Sequence, residues 1–120
     1  MDWKWQNQTV TIIRDGKEWT RVQRVLPFWK FLQGLLIFRK LPGEGINGLI
    51  CYPCKFVYMF GTGFAIDVVY CNCDKEIVYI MDGLVPYKAG PYIKNSCFVL
   101  VFPAETVFDS GLRVGERLRW

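Results

Sequence analysis

Phe64-Ala65-Ile66-Asp67-Val68-Val69-Tyr70-Cys71 holds one charged residue in an otherwise apolar row. β-Branched and aromatic side chains dominate it, which predicts a buried strand. A carboxylate among such neighbours costs several kcal/mol unless backbone donors or a cation meet it. Asp67 is therefore expected to accept N–H bonds from a nearby turn, with Gly61-Thr62-Gly63 the candidate in sequence. The functional alternative makes Asp67 a pocket acid beside Tyr58 and Thr62, holding a cationic or hydroxyl-bearing ligand.

Around this strand the chain alternates between extended runs and turn signals. Thr9 to Arg14 and Lys17 to Val25 flank Asp15-Gly16, the pattern of a β-hairpin with a type I′ turn. Pro27 opens a helical spacing over residues 28–39, with Phe28, Phe31, Leu32 and Leu35 on one face and Leu41-Pro42-Gly43 as its stop. Further strands are expected over Gly48 to Tyr52, Lys55 to Phe60, Glu76 to Met81, Ser96 to Phe102 and Glu116 to Trp120. Turns at Asn72-Cys73-Asp74-Lys75 and a loop from Pro86 to Asn95 separate them. A helical turn from Thr106 to Ser110, ended by Gly111, is expected to cap one edge. The spacing predicts a mainly β domain bordering on α+β, an antiparallel barrel or sandwich with an N-terminal hairpin and one short helix.

A chain of 120 residues and 14.0 kDa fits one domain over 1–120, with one core. Its hydrophobic fraction of 52%, with 17% aromatic, exceeds what so small a sphere hides, so an exposed apolar patch is expected. That favours a protein partner or a homo-oligomer. The formal charge of +4 arises in residues 1–60, with nine Lys or Arg against four acids. Arg21 and Arg24 fall on opposite strand faces and no stacking motif recurs, so nucleic acid is not expected as a partner. Gly48 to Cys71 is interrupted by Lys55, Asp67 and Pro53, so no membrane span is predicted. The N-terminus lacks the pattern of a secretory signal, and a cytoplasmic location is expected.

The absence of histidine removes the commonest general base, the commonest metal ligand and every Ser-His or Cys-His nucleophile. No phosphate loop occurs, because Gly43-Glu44-Gly45 lacks the lysine and the following helix. Five cysteines stand as Cys51-x-x-Cys54, Cys71-x-Cys73 and Cys97. Two close pairs suggest a zinc site built from Cys51, Cys54, Cys71 and Cys73, or a redox-active dithiol in Cys51-Tyr52-Pro53-Cys54. Against zinc, the one-residue spacing of Cys71-x-Cys73 is too short for the usual ligand turns. Against redox chemistry, a strand and not a helix follows Cys54. Buried, unpaired thiols are the simpler expectation, and the odd count speaks against a disulfide framework. The five tryptophans could form a ring-stacking platform, but core or interface use is the plainer reading, with Leu118 and Trp120 sharing one face of the last strand.

From residue 34 to 120 the sequence resembles the bacterial and archaeal family called domain of unknown function 192. The resemblance runs through Gly34-Leu35-Leu36, Leu41-Pro42-Gly43-Glu44-Gly45, Tyr52-Pro53-Cys54, Phe60-Gly61 and Phe64 to Val69. It continues through Ile77-Val78, Pro86, Val99-Leu100, Pro103-Ala104, Gly111-Leu112 and Gly115-Glu116. It implies a compact, mainly β, barrel-like domain with no established activity. The chain departs from that pattern where the family usually shows His-Thr and then Met, having Tyr58, Met59 and Thr62. It has Val101 for a Glu, Glu105 for a Gly and Phe31 for an Arg. No catalytic motif stands out. The residues favour a non-enzymatic binding or assembly module acting through an apolar, aromatic surface, with a cysteine-based metal or redox protein as the alternative.

Overall fold

In a computed structural model the described residues are 9–25, 46–55, 65–84 and 90–120. They form β1 (Thr9–Arg14), β2 (Lys17–Val25), β3 (Ile46–Cys51), β4 (Ile66–Cys71), β5 (Ile77–Leu84), β6 (Phe98–Pro103) and α1 (Thr106–Ser110). The protein is mainly β. The expected helix over 28–39 and most of the expected strand from Lys55 to Phe60 lie outside the described residues.

The hairpin forms where expected. Asp15 and Gly16 both take positive φ, 53° and 77°, as a type I′ turn requires, and Arg14 pairs with Lys17 across it. One six-stranded sheet follows, in the order β1-β2-β3-β6-β4-β5. It is mixed and not purely antiparallel, because β2 and β3 run parallel. Parallel neighbours need a crossover of a dozen or more residues, and the chain between them, 26–45, is long enough to be one. The sheet also does not close into a barrel: among the described residues β1 and β5 share no ladder. In place of the strand expected from Glu116 to Trp120, an extended C-terminal segment is laced between the two edges at one end. Ile13 and Arg119 exchange backbone bonds, Ile77 donates to the Glu116 carbonyl, and Leu118 donates to the Lys75 carbonyl.

Alternation along the strands divides the core between the two sheet faces. On one, Leu49, Cys51, Ile66, Val68, Tyr70, Val99 and Val101 pack together with Cys54. On the other, Ile12, Val22, Ile50, Val69, Cys71, Leu100 and Phe102 meet Val107, Leu112 and Leu118. All six residues of β4 are buried. Gly48 permits this packing: a Cβ there would lie 2.6 Å from the Phe102 ring and 2.6 Å from the Val101 carbonyl oxygen.

The turn before β5 is set by Asn72, whose Oδ1 accepts from the backbone N–H groups of Asp74 and Glu76 at 2.9 and 3.0 Å. Next to it, Cys73 and Cys97 form a disulfide with their Cα atoms 5.3 Å apart. This corrects the expectation that all five thiols are unpaired. A turn and the approach to β6, 24 residues apart in sequence, are brought to bonding distance by the β4–β6 pairing. Helix α1 starts and stops as expected, with Gly111 at φ 71° donating its N–H to the Val107 carbonyl. Glu105, in front of it, is left-handed at φ 74°, the conformation that favours glycine. No helix among the described residues is long and apolar enough to cross a membrane.

Candidate functional site

Asp67 is fully buried on β4, between β5 and β6. β5 bulges opposite it: Ile66 pairs with Leu84 and Val68 with Met81, so Asp82 and Gly83 together face Asp67. Gly83 sits at φ 75°, which turns its N–H out of the ladder and toward the acid. Asp67 Oδ1 accepts from Gly83 N at 2.9 Å, and Oδ2 accepts from Val107 N at 2.8 Å. The second donor lies in the first turn of α1, whose N–H groups have no partner within the helix. Glu105 makes no side-chain cap, so Asp67 does that work from another strand. The carboxylate thus joins three elements.

The donors differ from those expected in Gly61 to Gly63, which lie outside the described residues together with Tyr58 and Thr62. Asp82, which no local motif singles out, is an acidic neighbour of Asp67. Its exposed carboxyl lies beside Asp67, and the hydrogen bond and repulsion between the two acids raise its pKa, with burial and Glu105 adding less.

The cysteines do not assemble into one centre. Cys51 and Cys54 hydrogen-bond to each other on one sheet face, Cys71 is buried on the other, and Cys73 is taken by Cys97. Sequence spacing could not show that β4 points Cys71 away from Cys51. Among the described residues no group of three or more His, Cys, Asp or Glu side chains could hold a metal ion. The bond to Cys54, then burial, pushes the Cys51 thiol far up, and burial pushes Cys71 up to about 12. Neither favours the thiolate that metal binding or exchange requires.

At the surface near the disulfide, Tyr52 stacks on Phe98 with centroids 4.7 Å apart, and Phe98 meets Trp120 edge-on at 4.9 Å. Lys75 Nζ lies 4.7 Å from the Trp120 ring centre and donates to the Trp120 carbonyl. Tyr52 is 44% exposed, although it heads this aromatic row. Tyr92, Phe108 and Val114 are also exposed.

No protein-family model matches the sequence, and no curated protein matches it. Two solved structures are similar in fold. A protein of unknown function from Novosphingobium aromaticivorans is 20% identical, with a TM-score of 0.70 over 95% of this chain and 86% of its own. A putative transcription regulator from Sinorhizobium meliloti is 20% identical, with a TM-score of 0.64 over 92% of this chain and 91% of its own. The chain shares with both a small, mainly β domain over nearly its whole length.

Proposed function

We propose that this protein is a non-enzymatic binding and assembly module, and that its partner through the aromatic row is a second copy of the same chain. The carrying observation is the row Tyr52, Phe98 and Trp120, stacked at the surface with Tyr52 44% exposed. Rigid aromatics with one open face are what interfaces enrich, because they bury much area at little entropic cost. The buried acid supports the same reading from the inside, since both Asp67 oxygens accept backbone bonds and are spent on holding β4, β5 and α1 together.

The metal or redox alternative is less well supported, given that Cys73 is bonded to Cys97, that Cys71 lies on the opposite face from Cys51 and Cys54, and that the Cys51 and Cys71 thiols are both held protonated. The resemblance to domain of unknown function 192 belongs to this proposal. Glu105 stands where that pattern has glycine, and its φ of 74° is one a glycine adopts without strain. A neighbour's description as a putative transcription regulator comes with 20% identity, so nucleic acid is not part of the reading. The cytoplasmic location belongs to it too, and trapping the thiols of Cys73 and Cys97 in the cell tests it, since a reducing compartment opens such bonds. Light scattering over a concentration series tests the assembly. The reading expects a dimer that Tyr52→Ser weakens, and a strict monomer at every concentration overturns it.

A further inference from the structure

The extended C-terminal segment places its residues on alternate faces. Leu118 is buried in the core, so Arg117 and Arg119 project outward together. The Ile13–Arg119 bridge sets this pair against the tip of the β1–β2 hairpin. Between them lies a cleft of about 600 Å³ lined by Ile13, Asp15, Gly16, Arg117 and Arg119. Its size is that of a small-molecule site.

The arginines near this cleft differ in what they do. Arg14 is fully engaged: its Nε bonds to Glu116, its guanidinium donates to the Ser110 carbonyl, and it lies over the Trp19 ring. Among the described residues Arg117 and Arg119 have neither ion pair nor side-chain hydrogen bond, although Asp15 shares the cleft with them. Two exposed, uncommitted guanidinium groups on the same side of one extended segment form a ready clamp for a tetrahedral oxyanion, which such groups bind through paired N–H donors.

We infer that this cleft binds the phosphoryl group of a small phosphorylated ligand, with Arg117 and Arg119 on the phosphate and the like-charged Asp15 at its edge limiting the affinity. The site is independent of the aromatic row. A small ligand is favoured over a polyanion because, among the described residues, the cleft is lined by two cations, whereas nucleic-acid surfaces typically engage roughly 6–10 phosphates.

The test is titration of the full-length protein with inorganic pyrophosphate, followed by backbone and arginine side-chain N–H shifts in NMR. Saturable shifts are expected at residues 13–16 and 117–119. Arg117→Gln and Arg119→Gln should each weaken binding about tenfold, the cost of losing a hydrogen bond to a charged group. Asp15→Asn should tighten it a few-fold by removing a like charge, and asparagine suits the φ of 53° at this turn, so the variant folds. Two further arms use a short single-stranded oligonucleotide and vesicles containing phosphatidylserine. No saturable shift, equal shifts at Arg21, Arg24 and Arg113, or no response to the three substitutions would overturn the inference. So would tighter binding of either polyanion with a salt dependence steeper than two contacts allow.

Discussion

Removing the Asp67 carboxylate should cost this domain a large share of its stability. In Asp67→Ala the N–H groups of Gly83 and Val107, now 2.9 and 2.8 Å from the carboxylate oxygens, lose their acceptor inside the protein. Hydrogen bonds to a charged group contribute about 1.5–3 kcal/mol each, so the loss is about 3–6 kcal/mol. Asp67→Asn keeps the shape and one acceptor oxygen but turns an NH₂ toward the other donor, for a loss of roughly 2–3 kcal/mol. For a domain of this size each kcal/mol lowers Tm by about 3–5 °C, so the asparagine variant should melt about 10 °C below the parent. Urea titration followed by circular dichroism gives the free energies, with an unchanged slope showing that the unfolding transition is the same. The exposed Asp82→Asn is the control and should not destabilise. If both Asp67 variants unfold within about 1 kcal/mol of the parent, the acid holds nothing together and the reasoning fails.

Glu105→Gly should raise stability by about 0.5–1 kcal/mol in urea titration, because a residue at φ 74° loses its left-handed strain faster than glycine adds chain entropy. Gly48→Ala should lower it by about 1–3 kcal/mol, since the new methyl meets the Val101 backbone and the Phe102 ring. Asp82 has a raised folded pKa, so its contribution favours the native state below the ordinary carboxylate range and is lost as pH rises through the folded value. Asp82→Asn should flatten that part of the stability-pH curve measured by thermal unfolding. Iodoacetamide at about pH 8 should leave Cys51, Cys54 and Cys71 unlabelled in the native protein, and mass spectrometry should count three labels after unfolding without reductant.

Much of this fold is written locally. The Asp15-Gly16 turn, the buried run around Asp67 and the stop at Gly111 each follow from a few adjacent residues, and each lies where the residues place it. What stayed hidden depends on partners distant in sequence. The donors to Asp67 stand 16 and 40 residues away, and one of them exists only because β5 bulges at Gly83. The parallel pairing of β2 with β3 follows from no local residue pattern in either strand. Cys73 reaches Cys97 only through sheet pairing. The arginine cleft had a readable signal in the alternation Arg117-Leu118-Arg119, but the facing hairpin tip belongs to the other end of the chain.

The claim that this chain assembles through its aromatic row is tested most directly by NMR spectra over a concentration series. Concentration-dependent shifts are expected at the rings of Tyr52, Phe98 and Trp120, and Tyr52→Ser should abolish them while the fold persists. Spectra that do not change with concentration, or changes centred on another face, would contradict it.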